Sequence, residues 1–378
     1  MTGDPKPRDG EPLRVLLVTN VLAHYRKPLF ATLSRRVRAR FVFFSDGREW
    51  YWRSGHSDPS GLDAVFLRGR WFGRTRVTPG LFAEVLARPY DVLVLSLVGK
   101  FALAVGYLGA KVRRKPLVLW ATMWSHPSTP FHRRTERITN RLYRDADAVV
   151  TYGRHVSRHV VSKGADPART FVAPQAVDLT LFRKDRPAYD GPCRIAYVGR
   201  LEPEKGVPDL LAAFELLDAR GVPYVSVVAG TGSLDVPGGR GKVPNTELPA
   251  LYNAADVVVV PSRLVPEFAE PWSLAVNEAM GCGAAVVASD AVGAVQDGLV
   301  TDGETGLVFP HGDVAALADA LERLATDAAL RQRLADAGHA AIQAFTYDAA
   351  AQAFVDAAQA AMSRDRRALR RKRALPTK

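Results

Sequence analysis

Two cations at the end of an apolar, strand-like run could bind phosphate. The run ends within the segment VGRLEPEKG, in which Arg200 and Lys205 lie between Gly199 and Gly206. We expect a strand to end at Gly199 and a helix to begin near Gly206, and ligands of open α/β sheets bind at this carboxyl edge. Arginine holds a phosphate with two parallel hydrogen bonds, and lysine adds a compact charge. The segment predicts a phosphate clamp, with a pair of exposed cations beside two glutamates as the alternative.

A second segment, EPWSLAVNEAMG, predicts a helix whose first turn faces a ligand. Pro271 and Trp272 set the start of a helix that runs through Leu274–Met280, and proline near the first helical position is compatible with a start there. The first backbone N–H groups of a helix have no partner within it and favour anions. We expect the N–H groups of Ser273, Leu274 and Ala275 to form a seat for phosphate.

Two carboxylates are associated with this helix. Glu270 precedes it and Glu278 lies within it, with seven residues between them. At 1.5 Å per residue, Glu278 is expected about two turns in, roughly 8–9 Å along the axis. Carboxylates so placed could each bind a pair of vicinal hydroxyls at opposite ends of a nucleotide-sugar. A favourable interaction with the helix dipole is the alternative, and it accounts for Glu270 but hardly for Glu278.

Apolar runs alternate along the chain with helical patterns, in two sets. The first set comprises 13–20, 40–46, 91–97, 116–122, 148–153 and 170–174, and the second comprises 194–199, 224–230, 256–262, 284–290 and 306–310. Strands that are apolar on both faces are typical of parallel sheets in doubly wound folds. We therefore predict an α/β protein of two Rossmann-like domains, which suits a chain of 378 residues. The predicted division is 1–182, 183–345, and a C-terminal helix with a basic tail at 346–378.

The charge is divided unevenly along the chain. Residues 1–185 hold 32 Lys or Arg against 15 Asp or Glu, a net charge of +17, and residues 186–363 hold 11 against 23, a net charge of −12. The tail, 364–378, holds 8 against 1, a net charge of +7. Regions of opposite sign meet different partners. The basic half predicts an anionic or membrane-anchored acceptor, and the tail predicts contact with an anionic membrane surface, with a solvated tail as the alternative. A basic run alone does not indicate nucleic acid, and none is expected.

Several classes of protein are excluded by the composition and motifs. Cys193 and Cys282 lack metal-site spacing, so neither a disulfide framework nor structural zinc is predicted, which suits a cytoplasmic protein. No P-loop motif occurs and no GxGxxG follows the first strand, so P-loop and dinucleotide chemistry are disfavoured. The N-terminus has no apolar signal-peptide core. Residues 92–110 are apolar at 19 positions except Lys100, and we predict a strand, a turn and a helix there rather than a membrane span.

These residues resemble the retaining glycosyltransferases of family 4, which have the GT-B fold of two facing Rossmann-like domains. The E-x7-E motif of that family is matched by Glu270 and Glu278, and its G-R-L-x3-K-G segment by 199–206. The stretches ADVVVVPS, NEAMGCG and DGETGLVFPHGD also resemble the family, so the similarity covers most of 194–325. HYRKPLF, DADAVVTYG and APQAVDLTLF in the first half are similar but less diagnostic.

The resemblance implies roles for individual residues. The implied donor site comprises Gly199, Arg200, Lys205, Lys242, Val243, Glu270, Ser273, Leu274 and Glu278. Arg200 and Lys205 would hold the donor diphosphate together with the helix amides, Glu278 the ribose, and Glu270 the hydroxyls of the transferred sugar. The implied catalytic residues are Arg200, Lys205, Glu270 and His126. His126 resembles a histidine beside the anomeric carbon, with a structural histidine as the alternative.

The sequence departs from the family pattern in three places. The glycine-rich loop usual after the first strand is absent, and the residues there are the candidate acceptor-binding residues Asn20, His24, Tyr25 and Arg26. Ser273 stands where the family usually has glycine. The segment 230–246 is shorter than the usual strand–helix–strand, which leaves base recognition near Lys242 and Val243 open.

The function expected from the resemblance is sugar transfer from a UDP- or GDP-linked sugar, with retention at the anomeric carbon and with no metal or cofactor besides the donor. The acceptor is expected to be a glycan, a lipid-linked acceptor or a small-molecule glycoconjugate. The alternatives are a GT-B sugar-nucleotide epimerase and a non-catalytic binder of nucleotide-sugars or polyanions. The aromatic residues Trp50, Tyr51, Trp52, Trp71 and Phe72 either contact such an acceptor or pack under a loop. A cytoplasmic location is expected, with peripheral attachment to the inner face of the membrane as an option.

Overall fold

The eleven apolar runs predicted as strands all form strands, and they assemble into two parallel sheets. The structure is a computed structural model and describes residues 11–46, 55–73, 75–125, 130–266 and 268–363. Apolar side chains fill the central strands on both faces, and every residue of Val92–Ser96 is buried. Burial on both faces is the physical reason that the runs are continuous rather than alternating. The predicted α/β class is confirmed.

The first sheet belongs to the N-terminal half. Its strands are β1 (Arg14–Thr19), β2 (Arg38–Phe43), β3 (Asp63–Phe66), β6 (Val92–Ser96), β7 (Leu117–Ala121), β8 (Ala148–Thr151) and β9 (Thr170–Val172), while β4 (Arg70–Phe72) and β5 (Thr75–Val77) form a separate antiparallel hairpin. The strand order is β3-β2-β1-β6-β7-β8-β9. The helices between these strands are α1 (Lys27–Ser34), α2 (Gly80–Leu86), α3 (Lys100–Arg113), α4 (Pro130–Asp145) and α5 (Arg154–Ser162). This half is the N-terminal domain.

The second sheet forms the C-terminal domain. Its strands are β10 (Cys193–Val198), β11 (Tyr224–Ala229), β12 (Val257–Val260), β13 (Ala285–Ser289) and β14 (Leu307–Phe309), in the order β11-β10-β12-β13-β14. Its helices are α6 (Val207–Ala219), α7 (Leu248–Ala254), α8 (Leu274–Gly281), α9 (Gly293–Asp297), α10 (Val314–Thr326) and α11 (Ala328–Ile342). The segment 230–246, noted as short in the sequence, contains neither helix nor strand.

The chain crosses between the domains twice. Val177 and Phe182 pack into the core of the C-terminal domain, so the first crossing follows β9. The last helix, α12 (Tyr347–Ser363), returns to the N-terminal domain and packs against α1 and strands β6 to β9. Phe354 lies in the same core as the strands of the first sheet. The predicted C-terminal helix therefore covers the first sheet although it follows the second domain in sequence.

The long apolar stretch 92–110 is divided as predicted. It contributes β6 and most of α3, separated by a turn at Gly99. Within the residues that the structure describes, no helix combines the length and the apolar character that crossing a membrane requires.

Candidate active site

A cleft of about 760 Å³ lies where the carboxyl ends of the two sheets face one another, and both domains contribute to its walls. Seven of the predicted donor residues line it: Gly199, Arg200, Lys205, Glu270, Ser273, Leu274 and Glu278. The four candidate acceptor-binding residues line it from the N-terminal domain: Asn20, His24, Tyr25 and Arg26. Residues from both halves of the sequence are thus brought to one cavity, at the strand edge expected for ligands of such sheets.

Both cations of the predicted phosphate clamp are paired with carboxylates in the cleft. Arg200 Nη2 lies 3.1 Å from Glu204 Oε1. The Lys205 ammonium forms an ion pair with the carboxylate of Glu270 and lies 4.7 Å from the centre of the Phe268 ring. Both members of the Lys205–Glu270 pair are largely buried, with 16% and 10% of their side chains exposed. An anion that enters the cleft would compete with these carboxylates for both cations.

The backbone around Arg200 is packed too closely to admit larger residues. A Cβ added at Gly206, whose φ is 72°, would lie 1.8 Å from the carbonyl oxygen of Pro261. A Cβ at Gly230 would lie 1.7 Å from the carbonyl oxygen of Gly199. The Tyr197 hydroxyl donates to the carbonyl oxygen of Arg200 at 2.7 Å. This packing fixes the loop that carries the two cations.

The helix predicted after Pro271 is α8, and its first turn points into the cleft. It begins at Leu274, after Ser273, which has a φ of 78° and a ψ of 99°. No side chain among the described residues caps this end of the helix. Ser273, Leu274 and Ala275 all line the cleft. The three residues whose N–H groups are predicted to bind phosphate therefore lie at the cleft.

Glu278 lies closer to the start of the helix than predicted. It is the fifth residue of α8 rather than two turns in, because the helix begins at Leu274 and not at Pro271. Its distance along the axis is therefore about 6 Å and not 8–9 Å. Burial raises the pKa of Glu278 to about 7, and the neighbouring Tyr252 hydroxyl acts in the opposite direction. At neutral pH this carboxyl is balanced between its acid and its carboxylate form.

Ser262 was missed by the sequence analysis and supports Glu270. It is fully buried, and its hydroxyl donates to Glu270 Oε2 at 3.1 Å. The hydrogen bond and the Lys205 ammonium fix the same carboxylate oxygen. Ser262 is the last residue of the run 256–262 and lies two residues beyond the end of β12, so its place at the carboxyl end of a central strand was the available signal.

The N-terminal domain also holds the loop that carries Glu270. Trp124 Nε1 donates to the carbonyl oxygen of Glu270 at 3.0 Å, and His155 Nε2 lies 3.2 Å from the carbonyl oxygen of Pro271. Neither residue was predicted. More than a hundred residues separate each from this loop, so no local pattern could relate them to it.

Among the candidate acceptor-binding residues, Arg26 is held by contacts within the N-terminal domain. The Arg26 guanidinium donates to Asn20 Oδ1 at 3.2 Å and to the Tyr152 hydroxyl at 2.9 Å, and lies 4.9 Å from the Trp120 ring centre. Arg26 therefore stabilises the wall of the cleft.

The pKa of His24 is affected by a charge in the C-terminal domain. Burial lowers its pKa, and the charge of Lys242 lowers it further. Lys242 is exposed and Val243 packs against the second core, and neither is among the residues that line the cavity. Contact between the nucleobase of the donor and the backbone near Lys242 and Val243 stays a prediction.

Other predicted residues lie away from the cleft or outside the described part of the chain. Trp71 and Phe72, on the β4–β5 hairpin, are 50% and 65% exposed, so they do not pack under a loop. His126, the aromatic residues Trp50, Tyr51 and Trp52, and the tail 364–378 lie outside the described residues.

Comparison with known protein sequences points to one class. Residues 192–327 match the sequence model of the family described as "Glycosyl transferases group 1". Glycogen synthase from Mycobacterium tuberculosis is 30% identical over 222 residues, which cover 54% of this chain and 52% of that protein. D-inositol 3-phosphate glycosyltransferase from Frankia alni is 35% identical over 232 residues, covering 53% and 55%. The chain spans about half the length of the curated relatives it matches.

Comparison with solved structures shows the fold. HepE from Anabaena in complex with UDP superposes with a TM-score of 0.70 at 20% identity, over 91% of this chain and 99% of that one. Sucrose-phosphate synthase from Thermosynechococcus elongatus superposes with a TM-score of 0.68 at 20% identity, over 91% and 98%. The chain has the GT-B fold, as the sequence predicted, and the matches as a group support a GT-B glycosyltransferase.

Proposed function

We propose that this protein transfers a sugar from a nucleoside-diphosphate sugar, UDP- or GDP-linked, to an acceptor, with retention of configuration as in the family 4 enzymes that it resembles. The observation that carries the proposal is the Lys205–Glu270 pair in the cleft, beside Arg200 and the first turn of α8. Cations and helix amides suit a diphosphate, and a carboxylate suits sugar hydroxyls. The names of the sequence relatives favour transfer over epimerisation or simple binding.

In this proposal Arg200, Lys205 and the first amides of α8 bind the diphosphate and stabilise its charge as it leaves. The bond between the anomeric carbon and the diphosphate oxygen breaks, and the acceptor oxygen bonds to the same face of that carbon. The acceptor proton passes to the departing diphosphate. Glu270 binds hydroxyls of the transferred sugar and Glu278 binds the ribose. The scheme uses only the chain's own positive groups, and we propose that it needs no metal.

The acceptor would bind against the N-terminal domain, near His24 and Tyr25. The net charge of +17 in residues 1–185 supports an anionic or lipid-linked acceptor. Cytoplasmic location and attachment of the tail 364–378 to an anionic membrane belong to the same proposal, and deletion of the tail should weaken binding to anionic vesicles.

The first experiment is thermal stabilisation by UDP, GDP, ADP and their sugars. A ligand at 100 times its Kd stabilises a protein by about 2.7 kcal/mol, which is easily detected. We expect one nucleotide to raise the Tm, Glu278→Ala to abolish that shift, and Glu215→Ala, an exposed glutamate on α6, to retain it. The absence of any shift would contradict the proposed donor site. With the donor known, the anomeric configuration of the product, read by NMR, tests retention.

A further inference from the structure

A second cavity, of about 450 Å³, lies between α3 and α4 of the N-terminal domain. We call it the α3–α4 groove. Its walls are mainly apolar, and they include Leu103, Met123 and Leu142. Val98, Gly99 and Thr122 line both this groove and the cleft. The two cavities therefore adjoin.

Helix α4, which forms one wall of the groove, is basic. Helix α4 carries five arginines against two carboxylates. Arg134 and Arg141 precede and follow Ile138 by four and three residues, so all three lie on one side of the helix. Ile138 lines the groove and is 62% exposed. Lys100, the first residue of α3, lines the groove where it meets the cleft. The apolar lining matches the apolar chain of an anionic amphiphile, and Lys100 together with the positive charge of α4 matches its anionic head group, although Arg141 Nε lies 3.5 Å from Asp145 Oδ2.

We propose that the α3–α4 groove binds the apolar chain of an anionic, amphiphilic acceptor, and that the junction at Val98 and Gly99 directs the head group of that acceptor into the cleft. The inference rests on the proposed function, because it names the class of acceptor for that reaction. It assigns acceptor recognition to α3 and α4, in addition to the residues that follow β1.

The test measures binding of alkyl phosphates below their micellar concentration, by calorimetry on the full chain. Each methylene buried in an apolar site strengthens binding by about fourfold. Dodecyl phosphate should therefore bind at least tenfold more tightly than hexyl phosphate, and inorganic phosphate should not compete with it. Dodecyl maltoside, a neutral amphiphile, should bind at least threefold more weakly than dodecyl phosphate.

Two exposed apolar residues provide a matched pair of variants. Ile138→Asp places a carboxylate in the groove, and we expect it to weaken binding of dodecyl phosphate at least tenfold. Val112→Asp alters α3 where the side chain is 76% exposed and does not line the groove, and binding should stay within twofold of the wild type. Thr139→Trp, which fills the groove instead of charging it, should also abolish binding.

The outcomes separate this inference from the proposed function. The nucleotide identified by thermal shift should stabilise all three variants as it stabilises the wild type. Retained stabilisation by that nucleotide, with no dependence of alkyl phosphate binding on chain length or with equal losses of dodecyl phosphate binding in Ile138→Asp and Val112→Asp, would overturn the proposed groove site and leave the donor site intact. If Ile138→Asp and Val112→Asp both lose binding to anionic vesicles while binding of dodecyl phosphate is unchanged, this face is a membrane contact. That outcome would also overturn the proposed groove site.

Discussion

Asp297 of the C-terminal domain caps helix α5 of the N-terminal domain and pairs with His155. Asp297 Oδ1 lies 3.3 Å from His155 Nδ1 and accepts from the backbone N–H groups of Arg154 and His155. A carboxylate at the N-terminus of a helix is stabilised by the helix dipole. A Cβ at Gly153 would lie 2.6 Å from the same oxygen, so a larger residue there would displace the Asp297 carboxylate.

The contact between His155 and Asp297 links the packing of the two domains to the loop that carries Glu270. The other ring nitrogen of His155, Nε2, faces the carbonyl oxygen of Pro271, next to Glu270. The two ring nitrogens of His155 therefore each contact an oxygen of the C-terminal domain. Domain separation would break the Asp297 and Pro271 contacts together.

His155→Ala is expected to loosen the domains and to lower turnover while binding of the donor nucleotide changes less than twofold, because the predicted nucleotide contacts all lie in the C-terminal domain. Loss of such a buried pair costs about 1–3 kcal/mol. Small-angle scattering should give a larger radius of gyration for the variant than for the wild type.

The matched control is His311→Ala. His311 Nδ1 pairs with Asp290 Oδ1 at 2.6 Å, within the C-terminal domain and partly exposed. It should leave the scattering curve unchanged. Identical scattering for His155→Ala and the wild type would contradict the role of the interdomain contact.

Lys205→Ala should lower kcat by 10²–10³-fold, because removal of one group that stabilises a developing charge costs about 3 kcal/mol. Lys205→Arg should restore part of the rate, since it keeps the charge but not the geometry. Initial rates with the donor identified by thermal shift measure both. Lys184, which pairs with Asp336 at 2.8 Å away from the cleft, supplies the control, and Lys184→Ala should retain full activity. Full activity in Lys205→Ala would exclude the proposed role of that residue.

The strands were predictable because burial on both faces requires continuous apolar runs. Strands β3, β4 and β5 were missed because they are short and none of their residues is buried, so they have no continuous apolar run. The cleft residues Arg200 and Lys205 were found because they follow β10, and Glu270 and Glu278 because one precedes and the other lies within the helix predicted after Pro271. Trp124 and His155 could not be found, because only the packing of the two domains brings them to the Glu270 loop. The contact of Asp297 with α5 arises from the same packing.

Glu278 should make stability depend on pH. Its pKa in the folded protein is about 7, above the ordinary value of 4.5, so the proton is bound more tightly in the folded state. The stability that this provides is fully present below pH 4.5 and is lost as the pH rises through about 7. Glu278→Gln removes the dependence. It should match the wild type near pH 4.5 and exceed it above pH 7.5 by up to about 3 kcal/mol, in urea unfolding. A constant difference across this range would contradict the raised pKa.

The same titration should affect nucleotide binding, if Glu278 binds the ribose. The carboxylate accepts hydrogen bonds from both hydroxyls, whereas the protonated form accepts less well. Affinity for the nucleotide should therefore rise between pH 6 and pH 8 in the wild type. Calorimetry on Glu278→Gln separates this effect from the titration of the phosphate, since the phosphate contribution persists in the variant. Parallel pH profiles for the two proteins would assign the whole rise to the phosphate.

Ser273 carries backbone strain at the start of α8. Its φ of 78° and ψ of 99° are nearly those of Gly99, 76° and 102°, which precedes α3 on the opposite wall of the cleft. Glycine adopts this conformation freely, whereas a residue with a Cβ is strained by about 1–3 kcal/mol. Ser273→Gly loses about 0.5–1 kcal/mol through the entropy of the unfolded chain and should still be more stable than the wild type.

Ser273→Ala provides the comparison, because it removes the hydroxyl but keeps the Cβ and the strain. We expect the Tm to rise in Ser273→Gly and not in Ser273→Ala. Nucleotide affinity should also rise in the glycine variant, since the backbone amides of Ser273 and Leu274 can then approach a phosphate without a side chain at the helix start. A fall in Tm for Ser273→Gly as large as for Ser273→Ala would mean that the serine hydroxyl, rather than the backbone, determines this helix terminus.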